Sequence, residues 1–534
     1  MRKLLAVVLL CLILSAVAVA QEPVQGGTFR FALTTNPRGM FNPILYTEQY
    51  DSYIIDLVYD GLIYIDEQLQ PQPRLAKGWE ISEDGLSITF FLHERVKFHD
   101  GVEVTAEDVE FTYKTMLHPE YTGVRYGSFK LLVGAEEYHN GERDDVPGIE
   151  VIDDYTIKFT ITEPYAPLVT QFGYGVLPKH LLGDIPVGEL EQAEFNRHPI
   201  GAGPFKFVEF MTDQHVILQA NDDYFLGRPN IDQVVFQRVA FDALPIYIRQ
   251  QRVDYAEISP DNYAEVSGIP GVDLYIYEEL SYNYICFNLR QPRFADPVVR
   301  QAITYGFDRE TYVEVLREGF GIVANAPIPM ASWAFTSEGI NEYPYNPELA
   351  AQMLADAGWK PGAGGILEKD DMRLEFEFLV PEGSRVTEQM ALLFQQNMAD
   401  IGIKVNLVFM EFSAAVDRVD AREFDTFTMG WSLTVDPDPH GIWHSTSPWN
   451  DPGFYHDRSD ELIEMGRRET DPEKRKEIYA EWQRIINYEL PTMFLSYGVT
   501  VAAVNERVQG INTEPGPLGP LGGLQRLSQI WIQD

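Results

Sequence analysis

Cysteine is almost missing from this chain. Only Cys11 and Cys286 occur in 534 residues. Cys11 lies in the first twenty, so a chain trimmed after Ala20 keeps one thiol and can form no internal disulfide. Its stability must come from burial, for which a 45% hydrophobic content suffices. Long apolar runs are also missing after the N-terminus, and none there reaches the roughly 20 residues of a membrane span. Positive charge is scarce: 41 Lys and Arg against 81 Asp and Glu give a net charge of −40. Such a field repels nucleic acid and anionic lipid. Lysine is the scarcer base, 13 against 28 arginines, a balance that suits a surface bathed in high salt or high pH. Enzyme signatures are missing too. There is no Gly-x-Ser-x-Gly, and Cys286 lies in the apolar stretch "YNYICFNL" and reads as core. "GAGPFKF" at Gly201 lacks the spacing of a phosphate-binding loop and reads as a tight turn.

What is present begins with "MRKLLAVVLLCLILSAVAVAQEP". A charged start, an apolar run and Ala18-Val19-Ala20 predict a signal peptide over residues 1–20. Leu10 stands before Cys11 where a lipid-attachment site would carry a small residue. The remaining length exceeds that of one compact unit and predicts two or three domains.

Local patterns follow. In "WEISEDGLSITFFL", Leu86, Ile88, Phe90 and Leu92 alternate after an Asp84-Gly85 turn, which predicts a hairpin. Thr105 and Asp108 form a capping-box pattern at a helix start. Tyr155, Ile157, Phe159 and Ile161 alternate as another strand. These elements predict a small mixed domain from about 65 to 197. Asp296-Pro297, Asn346-Pro347 and Asp471-Pro472 each read as an N-cap followed by a first-turn proline. From 372 to 431 a strand through Leu374–Val380, a helix ending at Gly402 and a strand from Ile403 predict a parallel βαβ unit. A further strand ends at Trp431.

That strand runs into "GWSLTVDPDPHGIWHS", Gly430 to Ser445. Three chemistries compete there. His440 and His444 have the i,i+4 spacing of metal ligands, with Asp436 and Asp438 nearby. Pro439 and Gly441 weigh against a regular helix, however, and no Glu follows the first His, so the expectation is two ordinary histidines and no metal. Asp436 and Asp438 have the residue types of a glycosidase pair. In a chain with 81 acids that signal is weak, and no catalytic residue is assigned. The third chemistry is a binding cleft. Trp431, Trp443 and Trp449 cluster in a loop beyond a strand end, where α/β sheets hold ligands. Trp431 is expected as a wall, Asp436 as a cation anchor and Asp438 as a further ligand contact. Asn42 in "MFNPIL", Tyr284 and Trp333 in "PIPMASWAF" are further candidate contacts.

Several longer blocks resemble one family. "PRLAKGWEISEDGLSITFFLHERVKFHDGVEVTAEDVEFTY", "PIGAGPFKFVEF", "NDDYFLGRPNIDQVVF", "FNLRQPRFADPVVRQAITYGFDRE", "MLADAGWKPGAGGILEKD" and "IGIKVNLVFMEF" are similar to blocks of the extracellular solute-binding proteins, family 5, the dipeptide- and oligopeptide-binding receptors of ABC importers. The resemblance implies an α/β chain of the type II periplasmic-binding-protein fold: two α/β lobes joined by a two-strand hinge, plus an inserted N-terminal mixed α+β domain. It places lobe I in 21–64, 198–280 and 495–534, the insert in 65–197 and lobe II in 281–494. It implies a non-catalytic receptor that needs no cofactor. The receptor would act as a monomer, capture a peptide or related small solute between the lobes, and deliver it to a permease driven by ATPase subunits. It would be exported, periplasmic or extracellular, and peripheral to the cytoplasmic membrane. An oligosaccharide receptor of the same fold and a secreted hydrolase are the alternatives. In peptide-binding members an Asp three residues after the Gly-Trp tryptophan pairs with the peptide's amino terminus. Here that position holds Thr434, and Asp436 comes two residues later.

Overall fold

The computed structural model describes residues 23–533. The expected signal peptide, residues 1–20, lies outside them. One eleven-stranded sheet organises the chain. Its strands are β1 (Thr28–Leu33), β2 (Phe205–Met211), β3 (His215–Ala220), β4 (Gln233–Arg238), β5 (Tyr255–Ile258), β6 (Val272–Phe287), β7 (Glu375–Pro381), β8 (Lys404–Met410), β9 (Thr426–Ser432) and β10 (Thr492–Asn505). The spatial order is β8-β7-β9-β6-β10-β5-β1-β4-β3-β2, with a short strand at Ile322–Val323 paired to β10. β7 and β8 are parallel, with Glu375 opposite Lys404, and β9 joins β7 in parallel. The crossover helix, Arg385–Asp400, buries Met390, Phe394 and Met398. It stops before Gly402, whose φ of +83° only glycine adopts without strain.

The predicted helix starts form as read. The side chains of Asp296, Asn346 and Asp471 accept hydrogen bonds from first-turn amides, and a proline follows each. Both bonds of the Thr105–Asp108 capping box are made. The predicted hairpin pairs Ala76–Ile81 with Ser87–Leu92 within a four-stranded antiparallel sheet. Ile88, Phe90, Leu92, Ile157 and Phe159 point inward from it. Their core is continuous with that of β1 and β4, so this segment is welded to the first lobe through Phe172, Leu177 and Phe205 rather than tethered by a linker.

β6 and β10 are long because each runs through both halves of the sheet. Tyr277 and Ala502 pack into the core shared with β1, while Tyr282 and Tyr497 pack into a separate core on the other side. The antiparallel register breaks between the two cores. Glu278 is opposite Val499 and Tyr282 opposite Tyr497, so Glu279, Leu280 and Ser281 face Gly498 alone. Extra residues on one strand make a bulge that bends it and weakens the local ladder. The bulge is therefore the soft point between two stiff halves. Gly498 is required there for space: a Cβ would collide with Ser281 Oγ and Glu279.

Gly498→Ala should accordingly lower the unfolding free energy by about 1–3 kcal/mol, the usual cost of overpacking, and Ser281→Gly in the same chain should recover part of it. Urea titration reads both. An undiminished midpoint in Gly498→Ala would show that the bulge is not close-packed.

Candidate functional site

The Gly430–Ser445 segment begins at the bulge. Ser432, the last residue of β9, is opposite Ser281, and Leu433 N donates to Leu280 O at 2.7 Å. Trp431 is half-buried, its ring 5.8 Å from the exposed Trp449. Thr434 is exposed, and its hydroxyl donates to Asp436 O. Among the described residues no group pairs with the backbone N–H of Thr434 or Val435. A short extended edge is left open.

Past that edge the chain turns into protein. Asp436 is buried, and both its oxygens accept from Arg475, at 2.5 and 2.7 Å. Arg475 also donates to Gly466 O and Tyr479 OH, and its guanidinium lies over the rings of Trp333 at 5.4 Å and Tyr479 at 5.3 Å. Burial works against its charge, but Asp436 outweighs burial and holds the pKa above its ordinary value. Asp438 meets Arg467 Nε at 3.2 Å, and burial holds its carboxyl above the usual range in spite of that cation. Asp436, expected to await a ligand cation, and Asp438, expected as a ligand contact, are thus met by arginines of two helices, α2 (Pro472–Glu489) and α1 (Asp457–Arg468). Pairing at both oxygens removes Asp436 as an open anchor. Asp471-Pro472 located the second helix in the sequence, but nothing there aims Arg475 at a residue 39 positions back.

A cavity of about 620 Å³ opens beside this pair. Trp333, Val435, Asp436 and Arg475 line one side, and Trp79, Leu168 and Tyr165 of the 65–197 segment line the other. The same two segments also meet through Arg467, whose guanidinium lies 5.1 Å over the Tyr165 ring, and Arg468, which reaches Glu163 at 3.4 Å. The volume is in the range that encloses a drug-sized molecule. Trp333 is therefore a wall residue of a real cavity.

The first lobe adds carboxylates near the bulge. Glu257 reaches solvent, yet the protein around it, and then Glu279, hold its pKa up to about 7 against hydrogen bonds from Tyr53 and Tyr277. Glu279 itself accepts from Ser281 and Thr500. Sequence reading did not find these residues, because they become neighbours only through strand pairing. The other two candidates lie inside. Asn42 is fully buried; its amide donates to Asn196 and its oxygen accepts from Ile44 N. Tyr284 is buried against Phe427 and Tyr282. Tyr284 lies behind Trp431, Asn42 ties its own turn to Asn196, and neither presents a surface to a ligand. Cys286 is buried, as read.

Comparison with known proteins adds a second line of evidence. A family model described as bacterial extracellular solute-binding proteins, family 5, middle part, matches residues 70–453. Over 512 residues the chain is 32% identical to the oligopeptide-binding protein AppA of Bacillus subtilis, covering 94% of this chain and 92% of the relative. It is 29% identical to heme-binding protein A of Haemophilus influenzae, covering 92% and 91%. The structure of AppA from Bacillus subtilis in complex with a nonapeptide matches with a TM-score of 0.75 at 31% identity, over 96% of this chain and all of that one.

Two outcomes test the site's electrostatics. Asp436→Ala leaves a buried guanidinium unpaired and should cost about 3–5 kcal/mol of stability, with much of it regained in Asp436→Ala/Arg475→Met; chemical denaturation of both variants decides. For Glu257, a folded pKa of about 7 against an ordinary 4.5 means that the folded state binds more protons between those values. Stability should fall as pH rises through that window. Glu257→Gln should therefore melt higher than the parent at about pH 8 and alike at about pH 5.

Proposed function

The chain belongs to the bacterial extracellular solute-binding proteins, family 5, and from that premise we propose that its cargo is a peptide, or a small solute of comparable size, enclosed between the lobes. The observation that carries this reading is the course of Trp431–Asp436. One end is hydrogen-bonded to the bulge, the other is locked by Arg475 at the cavity, and the stretch between offers two free amides. An extended ligand laid along it can donate and accept backbone hydrogen bonds whatever its side chains, as in strand addition. The relatives' names fit: one binds oligopeptides, and its solved structure holds a nonapeptide.

Lobe I comprises 21–64, 198–280 and 495–534, the insert 65–197, and lobe II 281–494. Closure occurs about the β6 and β10 crossings at Glu279–Ser281 and Gly498. The closed form prevails with cargo because only then does the cargo touch both lobes. Trp431 and Trp333 are the walls, Asp436 and Asp438 fix the loop through Arg475 and Arg467, and Tyr284 backs Trp431 from inside. Cargo leaves unaltered; no bond in it is made or broken. The receptor works as an exported monomer that hands cargo to a permease coupled to ATPase subunits.

A thermal-shift screen of peptide and oligosaccharide libraries is the test. A bound ligand at 100 times its Kd adds about 2.7 kcal/mol of stability. Peptides should raise the melting point and remain intact on recovery, and Trp431→Ala should weaken the best of them by about tenfold or more. A response to oligosaccharides alone would assign the Trp431–Trp449 pair to sugar stacking instead, and turnover would make the protein a hydrolase.

A further inference from the structure

His440 and His444 belong to neither the hinge nor the cavity lining. The sequence argued against a metal because Pro439 and Gly441 disfavour a helix. The structure nonetheless forms one turn, His440–Trp443, with Pro439 at its start. That turn stacks the two imidazoles, centroids 4.5 Å apart and planes 14° from parallel. The third group comes from a distant element: Glu464 of α1 sets Oε1 3.5 Å from His440 Nε2 and 3.8 Å from His444 Nε2. One ligand atom from each residue falls within 4.8 Å of the others. We propose that His440, His444 and Glu464 form a binding site for a divalent transition-metal ion of the zinc, cobalt or nickel class, separate from the cargo cavity.

The donor set is right for such an ion: two neutral imidazoles and a carboxylate, leaving one coordination place open. The surroundings orient it. His444 Nδ1 lies 2.8 Å from Thr446 Oγ1 and 3.2 Å from Thr446 N. The Thr446 N–H donates to Nδ1, so a metal at Nε2 requires the other tautomer, in which Nδ1–H turns to the Thr446 hydroxyl and that amide bond is given up, a cost to affinity. Arg468 holds the other oxygen of Glu464 at 3.4 Å, so Oε1 is the one turned to the histidines. Arg467 Nη1 stands 3.6 Å from Oε1 and opposes a cation, while its Nε is engaged by Asp438. The site is therefore weaker than a closed structural zinc site. All three ligands are partly exposed, which gives an ion a way in.

The experiment uses tag-free, metal-stripped full chain titrated with Co²⁺ and Zn²⁺, read by visible absorption and calorimetry. One ion per chain is expected, weakened at least about tenfold by His440→Gln or His444→Gln and by a similar factor in Glu464→Gln. Each variant should keep the parent's metal-free melting point and its peptide affinity, so that failure here is distinct from failure of the cargo reading. Should a variant fold poorly, Cu²⁺ bound to the parent should show electron-spin coupling to two imidazole nitrogens. No saturable binding, binding undiminished in both histidine variants, or a copper spectrum without nitrogen coupling would each overturn the proposal.

Discussion

The constraint behind everything else is that only two strands, β6 and β10, carry the described chain between its halves, and that where they cross three residues of β6, Glu279 to Ser281, face a single residue of β10. Each half has its own core, so each resists deformation. The bulge between them does not. In the proposed closure, motion is confined to Glu279–Ser281 and Gly498, where a few backbone dihedrals would move two large bodies. The Trp431 loop is bonded to this point. In the proposed receptor its position would follow the hinge, so that a binding wall and a moving part are the same stretch of chain.

The second organising force is charge, used differently inside and out. A chain with 81 acids and 41 bases has few cations to place, yet Arg475 and Arg467 are committed to fixing one loop. Buried pairs of this kind contribute little net stability but penalise every alternative in which a partner is left alone. Here that penalty selects one loop conformation. Prolines 437 and 439 add to it by restricting the unfolded chain.

The sequence was legible where the signal is local. N-caps with a following proline, the Asp84-Gly85 turn, the capping box and the helical period through Met390, Phe394 and Met398 each depend on neighbours within a few residues, and each formed. The loop of interest was legible for the same reason, because tryptophans, prolines and acids cluster within it. What its residues touch was not. Asp436 and Arg475, Glu257 and Tyr53, and His440 and Glu464 are brought together by strand pairing and helix packing across 24 to 204 positions, and no short-range rule encodes the direction in which each side chain points. The family resemblance supplied the architecture. It left open whether Asp436 faces a ligand or an arginine, since that depends on the two residues by which the acid is displaced from its usual place.

The position of β10 has a consequence for how the molecule comes into being. It is among the last strands to be synthesised, yet it lies in the middle of the sheet, with β5 on one side and β6 on the other. Until it arrives, β5 and β6 are unpaired edges, and neither half is complete. Assembly must therefore wait for nearly the whole chain, through contacts of very long sequence separation, which slows it. A nascent chain that cannot close its own sheet stays pliable until its final segment has emerged.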